Sequence, residues 1–441
     1  MTSEVFKISE VFLYLPPPAF IMRVLYSAVF YLIIPFVLLR LYWRGFKTPH
    51  HRQRWNERFA LYTQIYPQNV IWFHAVSVGE VEAMLPLVKR IQSLHPDSPI
   101  LITTMTPTGS ARVNALLGES VAHVYVPYDL PDAVYRFMQC FKPKLAVMIE
   151  TEIWPNLFAY CGKKGIPLYI VNARIAAKSV SNYQKLSALT HPALAHVDLI
   201  ATQTEDDAER FIAIGGIKDK VKNLGNIKFD VEITPEIINQ GTRLKADLFK
   251  DRFVWLIAST HKNEEVIFLE LYPLIKAKIP ELLLVIVPRH QQRFTEVKKL
   301  CEARLTTVMR SSNAIITAET DSYVVDSIGE LKMFYATADI AFVGGSMVAA
   351  GGHNILEAAA VGVPVLFGKF MTNFQDIADG VLKQQAAIQC QTKEDVIQAV
   401  LSLYQQPAYR AELCAKGKEF IRANQGTVTR ICQLFEAAIK H

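Results

Sequence analysis

The stretch Ala338-Asp-Ile-Ala-Phe-Val-Gly-Gly-Ser-Met-Val-Ala-Ala-Gly-Gly-His-Asn-Ile-Leu-Glu357 decides how the rest of the chain is read. Its first residues, 338–343, have the continuous apolar character of a strand buried on both faces. They deliver the chain into a glycine-rich loop that opens a helix at Asn354. Glycine lets backbone N–H groups approach an anion closely, and a helix N-terminus carries about half a positive charge. Gly362 and Pro364 stop the helix, and 363–367 read as the following strand. The whole reads as a phosphate cradle for a nucleotide in a parallel α/β sheet. No Gly-Lys-Ser/Thr ends the loop, so it is not a P-loop.

Working outward, short apolar runs alternate with helical patterns, the signature of parallel sheets made of βα units. One series of expected strands covers 70–76, 100–104, 121–126, 145–149, 168–171 and 199–202. A second covers 254–259, 282–287, 338–343, 363–367 and 386–390. Between them, 229–250 contains Pro235 and Gly241 without a strand pattern and suits a linker. The last helical stretch, 408–440, is long enough to pack back across both lobes. The expected fold is α/β: two doubly wound, Rossmann-like domains facing a cleft, preceded by a membrane anchor helix. The expected division is 1–45 for an N-terminal extension and anchor, 46–228 for the first domain, 229–250 for the linker and 251–441 for the second. A chain of 441 residues exceeds the size at which single cores stop growing, which agrees with two domains.

Charged residues make up 20% of the chain and hydrophobic residues 51%, which excludes a disordered protein. The six cysteines have no C-x-x-C spacing and read as reduced thiols of a cytosolic face. No motif suggests a metal, and neither a cofactor nor a nucleic-acid partner is expected; His50-His51 reads as part of a basic surface. That surface is the run Arg40, Arg44, Lys47, Arg52, Arg54 and Arg58, interrupted by one acid, Glu57. Before it, Val24 to Leu39 carries no charge. As a helix this covers about 24 Å, and adding Ala19 to Met22, with Arg23 snorkelling, approaches the ~30 Å of a bilayer core. Basic residues after the apolar run argue against a cleaved signal peptide and for a retained anchor with the remainder in the cytoplasm. Spanning is preferred to monotopic insertion, although Pro35 and the short length keep both open.

Ligands of open α/β sheets bind beyond the carboxyl ends of the strands, so residues there come first. Glu80 follows the first strand in Phe73-His-Ala-Val-Ser-Val-Gly-Glu80. Pro86 argues that its helix starts only around Glu82, leaving Glu80 just ahead of it. Glu150 ends another strand, before Thr151-Glu-Ile-Trp-Pro155. Each acid alone also suits a helix entrance; together they are what a base and an electrostatic partner require. Lys228 and Arg289 are cations at comparable positions, and a guanidinium holds phosphate well. Asn354 and Glu357 have capping-box spacing, which competes with a ribose-binding role for Glu357. Thr204 ahead of Glu205-Asp-Asp207 marks a helix start, not a metal-binding acidic motif.

Taken together these segments resemble the bacterial 3-deoxy-D-manno-octulosonic acid (Kdo) transferases, membrane-anchored glycosyltransferases of the GT-B fold. The similarity runs from about Arg44 to the C-terminus. It is carried by His74-Ala-Val-Ser-Val-Gly-Glu80, Thr103-Thr-Met-Thr-Pro-Thr-Gly109, Val126-Pro-Tyr-Asp129, Glu150-Thr-Glu-Ile-Trp-Pro155, Asn172-Ala-Arg174, Gly225-Asn-Ile-Lys228, Pro288-Arg-His290, Gly329-Glu-Leu331 and Gly351-Gly-His-Asn-Ile-Leu-Glu357. Residues 1–22 look like an extension beyond the usual start of the family. The resemblance implies CMP-Kdo as donor, the lipid A precursor as acceptor and the inner membrane as location. It implies Glu80 as proton acceptor and Glu150 with Lys228 as transition-state stabilisers. It further implies donor-binding segments at Pro288 and Arg289, at Gly329, Glu330 and Leu331, and at Asn354, Ile355, Leu356 and Glu357, beside the loop glycines Gly351 and Gly352. Two alternatives stay open: a GT-B transferase using a UDP-sugar, and a membrane-tethered nucleotide-binding scaffold without activity.

Overall fold

The computed structural model describes residues 18–47 and 53–439. It divides into two units, Met1–Asp230 with Gly426–His441, and Val231–Gln425. The first holds a seven-stranded parallel sheet of β1 (Ile71–His74), β2 (Ile100–Thr104), β3 (Ala122–Tyr125), β4 (Leu145–Ile149), β5 (Leu168–Ala173), β6 (Leu199–Thr202) and β7 (Val221–Asn223). Their spatial order is β3-β2-β1-β4-β5-β6-β7. The second unit holds β8 (Phe253–Thr260), β9 (Leu282–Pro288), β10 (Thr307–Met309), β11 (Ser322–Val324), β12 (Ile340–Val343), β13 (Val365–Gly368) and β14 (Ile388–Cys390), in the order β10-β11-β9-β8-β12-β13-β14. Both are doubly wound α/β sheets.

The central strands form where they do because neither of their faces meets water. In β1, Trp72 enters a core with Leu101, Phe137, Ala146 and Met148, while Ile71 and Phe73 enter the opposite one with Ile102, Val147 and Met84. Alternate side chains feed opposite faces, so an unbroken apolar run is required. Each fully buried Val, Leu, Ile or Phe contributes about 1.5–3 kcal/mol. Four cysteines, Cys161, Cys301, Cys390 and Cys432, are buried free thiols.

Several elements differ from expectation. The helix after β1 is Val78–Leu94, beginning ahead of Glu82 and carrying Pro86 inside it. Ser77 caps it, and Val81, Met84, Leu87, Val88 and Ile91 bury its inner face, which offsets the ~3 kcal/mol of an interior proline. The helix after the glycine loop is short, Leu356–Val361, and Asn354 stands outside it with Oδ1 accepting from Leu356 N at 3.0 Å. The stretch read as a linker is helical over Pro235–Leu244 and belongs with the second unit. Gly241 is what allows this, since a Cβ there would come within 2.5 Å of Ala336 and of the Met333 carbonyl. The C-terminal stretch is two helices. Pro407–Asn424 packs on Leu356–Val361 in the second unit, and Thr427–Ile439 packs on Val78–Leu94 in the first.

The apolar helix is Pro18–Lys47, and the first unit includes it. The basic run after it is not one solvated surface. Arg58 is buried, with Nη2 donating to the Met105 carbonyl at 2.9 Å, and Arg54 bonds Glu57, Ser110 and the His123 carbonyl. Both guanidiniums lie over the Tyr125 ring, at 4.8 and 4.5 Å. Residues 1–17 of the extension, with His50, His51 and Arg52, fall outside the described residues, as do the side chains of Arg44 and Lys47.

Candidate active site

Strand order in the first sheet reverses between β1 and β4, the position at which such sheets open a crevice. Glu80 follows one of these strands and Glu150 the other. Glu80 sits in the first turn of Val78–Leu94, held by two donors: Val76 N–H reaches Oε2 at 2.7 Å and the Ser77 hydroxyl reaches Oε1 at 2.9 Å. In return Ser77 Oγ accepts from Glu80 N. The helix entrance thus uses Glu80 structurally while aiming its carboxylate beyond the sheet. Burial pushes this carboxyl above the ordinary glutamate value and the nearby Glu150 adds to the rise, while the Val76 and Ser77 bonds oppose it. A carboxylate of raised basicity is better matched to proton abstraction near neutral pH.

Glu150 itself has φ of 62°, a left-handed conformation that costs of order 1 kcal/mol or more in a residue other than glycine. Its Oε2 accepts from Arg174 Nε at 3.1 Å. Two neighbours escaped the sequence reading. Glu152, in the same segment, is pushed up to about 8 by burial, with Glu80 and Glu150 adding to the rise, so it is a neutral acid at pH 7. Gly79, immediately before Glu80, is exposed, and a Cβ on it would meet only Ser77 Oγ, at 3.9 Å. Nothing in the fold requires glycine there. It leaves open space beside the carboxylate at some expense in helix propensity.

Lys228 lies on the turn Ile227–Phe229, which packs against Val78–Leu94. A chain of bonds fixes the turn. Asn172 Oδ1 accepts from Ile227 N at 3.0 Å, the Asn172 carbonyl accepts from Gln203 Nε2, and Gln203 Oε1 accepts from Asn226 Nδ2 at 2.7 Å. Asn226 Oδ1 in turn accepts from Lys228 N. The structure therefore brings Glu80, Glu150 and the Lys228 turn to one edge of the first sheet.

The second sheet reverses between β8 and β12, and a guanidinium and three imidazoles gather there. Arg289 follows β9, its N–H bonded to the Thr260 carbonyl at 3.1 Å. His261 follows β8, His290 follows Arg289, and His353 lies in the glycine loop. His261 and His353 stack at 4.9 Å with their Nε2 atoms 2.8 Å apart, and His290 meets His261 edge-on at 5.4 Å. Burial first, and then the charge of Arg289, hold the His353 ring down at about 3. Arg293 does not join this group, being paired through both Nη atoms with the buried Glu265.

The glycine loop corrects the sequence reading. The N–H groups of Gly345, Ser346 and Met347 do not await an anion; they donate to the carboxylate of Glu264, which also accepts from His261 N. Glu264 is fully buried, in the first turn of the helix Glu264–Lys276. Gly352, with φ of 74°, donates to the Gly345 carbonyl and folds so close to Met371 that a Cβ would approach its sulfur to 2.4 Å. With a helix of only one and a half turns behind it, the positive charge at this edge comes from Arg289 more than from the helix dipole.

The remaining expected donor residues adjoin one another. Gly329 has φ of 87° with open space around its Cα, while the Glu330 carboxylate is tied to Arg310 at 3.0 Å and to Ser327. Leu331 begins the helix Leu331–Tyr335, which packs on Leu356–Val361; Glu357 there holds the buried Tyr335 hydroxyl higher still. Ile355 and Leu356 are buried, so their side chains serve the core and leave backbone to a ligand. Among the described residues no cluster of His, Cys, Asp or Glu could hold a metal ion.

Comparison with known proteins agrees with this geometry. Residues 53–231 match the family described as 3-Deoxy-D-manno-octulosonic-acid transferase (kdotransferase). The 3-deoxy-D-manno-octulosonic acid transferase of Haemophilus influenzae is 37% identical over 418 residues, covering 94% of this chain and 98% of that protein. The enzyme of the same name from Rickettsia typhi is 36% identical over 340 residues, covering 77% and 72%. Among solved structures, the UDP-GlcNAc 2-epimerase of Neisseria meningitidis aligns with a TM-score of 0.53 at 16% identity, covering 84% of this chain and 100% of that one, a likeness of fold alone.

Proposed function

Since the chain belongs to the 3-deoxy-D-manno-octulosonic acid transferase family and is a glycosyltransferase of GT-B fold, we propose that it transfers Kdo from CMP-Kdo to the 6′-hydroxyl of the lipid A precursor, with inversion, in lipopolysaccharide synthesis. The observation that carries this reading is the pair of sheet-end acids flanking the reversal point of the first sheet, with the carboxyl of Glu80 raised by burial and by Glu150.

Glu80 accepts the proton of the attacking hydroxyl, and the oxygen adds to the anomeric carbon from the face opposite the departing phosphate. Attack from that side inverts the centre, as a base-activated water does in inverting glycosidases. The anomeric carbon gains positive character as its bond to cytidylate lengthens, and Glu150 and Lys228 meet the charges that develop. Arg289 opposes the growing charge of the leaving phosphate, and the neutral imidazoles beside it supply ring N–H donors. Backbone at Gly329–Leu331 and Asn354–Glu357 receives the nucleoside. The apolar helix Pro18–Lys47 keeps the enzyme at the inner membrane, on its cytoplasmic side, where a lipid acceptor resides.

The test is incubation of the purified full chain with CMP-Kdo and tetraacylated lipid A precursor, followed by mass analysis of the lipid. A gain of Kdo mass with release of CMP is expected. Unchanged lipid, or tight UDP binding with indifference to CMP, overturns the reading.

A further inference from the structure

We propose that the N-terminal helix Pro18–Lys47 lies along the face of a bilayer as a monotopic anchor, sandwiched between lipid and the first unit, and does not cross the membrane. By composition it is able to cross: Ala19–Trp43 has a mean hydropathy of 2.1. What opposes crossing is the way the helix is already engaged. Its sheltered positions recur at Ser27, Phe30, Ile34, Val37, Leu41 and Gly45, the spacing of a single helix face. Phe30, Ile34 and Val37 pack on Tyr128, Leu130 and Ala133 together with Phe59. Ser27 is buried and exchanges hydrogen bonds with Asn156, whose Nδ2 lies 2.9 Å from the serine Oγ. Tyr31 donates to Asp132. These are contacts with a water-soluble α/β domain.

Length then decides. The helix is about 45 Å long, and the sheltered stripe from Ser27 to Gly45 occupies about 27 Å of it. The parts beyond that stripe are far shorter than the ~30 Å of a hydrocarbon core. Crossing would therefore carry the docked surface into lipid with the helix, including the half-exposed ion pair of Asp132 with Arg136 at 2.8 Å. Ionised groups in hydrocarbon are costly.

The opposite face names the occupant. Leu25, Val29, Leu32, Phe36, Leu39 and Trp43 form a second stripe with the same period, and Leu32, Phe36 and Trp43 are 74%, 72% and 67% exposed. A helix lying between its domain and water carries charge on that side; this one has no Asp or Glu, and its charges are Arg23, Arg40, Arg44 and Lys47. Tyr42, Trp43 and Phe46 are exposed among the cations of its C-terminal end, the combination that settles at anionic headgroups. The inference stands independently of the reaction assigned above.

The experiment places one probe at a time, as Ile21→Cys, Leu32→Cys or Trp43→Cys, in the full chain with Cys140→Ser and Cys414→Ser removing the part-exposed thiols. Each protein is spin-labelled and bound to vesicles of phosphatidylethanolamine with one quarter phosphatidylglycerol, and label depth is measured. All three labels are expected at one shallow depth, about 5–10 Å below the headgroups. Leu32 at the bilayer centre with Ile21 and Trp43 near opposite surfaces overturns the proposal. So do labels that remain in water, or that become protected only through dimer formation without lipid. None of these readouts depends on transfer activity, so a failed activity assay and a failed topology remain separate results.

Discussion

The two units put different side chains on the same scaffold, acids on one and a guanidinium among imidazoles on the other. In both sheets the strand order reverses beside the unit's first strand, β1 in one and β8 in the other. At the first reversal the chain presents carboxyl groups, Glu80, Glu150 and Glu152; at the second it presents Arg289 with His261, His290 and His353. The acid nearest the second reversal, Glu264, is buried and spent on its own loop. A doubly wound sheet thus fixes where chemistry takes place and leaves its sign to a few side chains on the loops.

The sharpest way to break this comparison is Glu80→Gln. Transfer should fall roughly 100- to 10,000-fold while CMP affinity, which the proposal assigns to the second unit, is unchanged. Parallel loss of CMP binding would show that the two sets of residues do not act separately. In the unaltered enzyme the acidic limb of the rate profile should lie above the ordinary glutamate value of 4.5, because Glu80 must be ionised to act and its carboxyl is raised. Next in size, Glu264→Ala strips the acceptor from four backbone N–H groups and should lower stability by about 3–5 kcal/mol in denaturant titration. A loss below 1 kcal/mol would mean that the loop finds other partners. Arg289→Ala should weaken CMP binding by about ten- to a hundredfold in calorimetry, the contribution of charged hydrogen bonds, with little change in unfolding. The smallest effect tests the empty space beside the base. Gly79→Ala should stabilise the helix by up to about 1 kcal/mol yet slow transfer, a split that a purely structural glycine would not give.

Much of the fold was legible because strands such as β1, β4 and β12 are buried on both faces and must be apolar throughout. The strands β7, β10 and β11 were not, since three residues carrying Lys222, Thr307 or Ser322 show no period. Glu80, Glu150 and Arg289 stood out because each follows an apolar run, and Lys228 because it lies where the chain leaves the first lobe. His261 and Glu264 did not, because in His261-Lys-Asn-Glu264 only three-dimensional packing distinguishes a buried carboxylate from a first-turn acid. The helix start at Val78 was hidden by Pro86, whose local penalty is outweighed by the buried face around it.

The first unit is completed by residues far from the rest of it in sequence. Val428, Ile431, Cys432 and Phe435 join the core containing Ile71, Phe73 and Tyr169, and Asp230 accepts the N–H groups of Gly426 and Val428. A ribosome therefore releases the whole of the second unit before the first has its last wall. During synthesis, the unit that begins first is the one that finishes folding last.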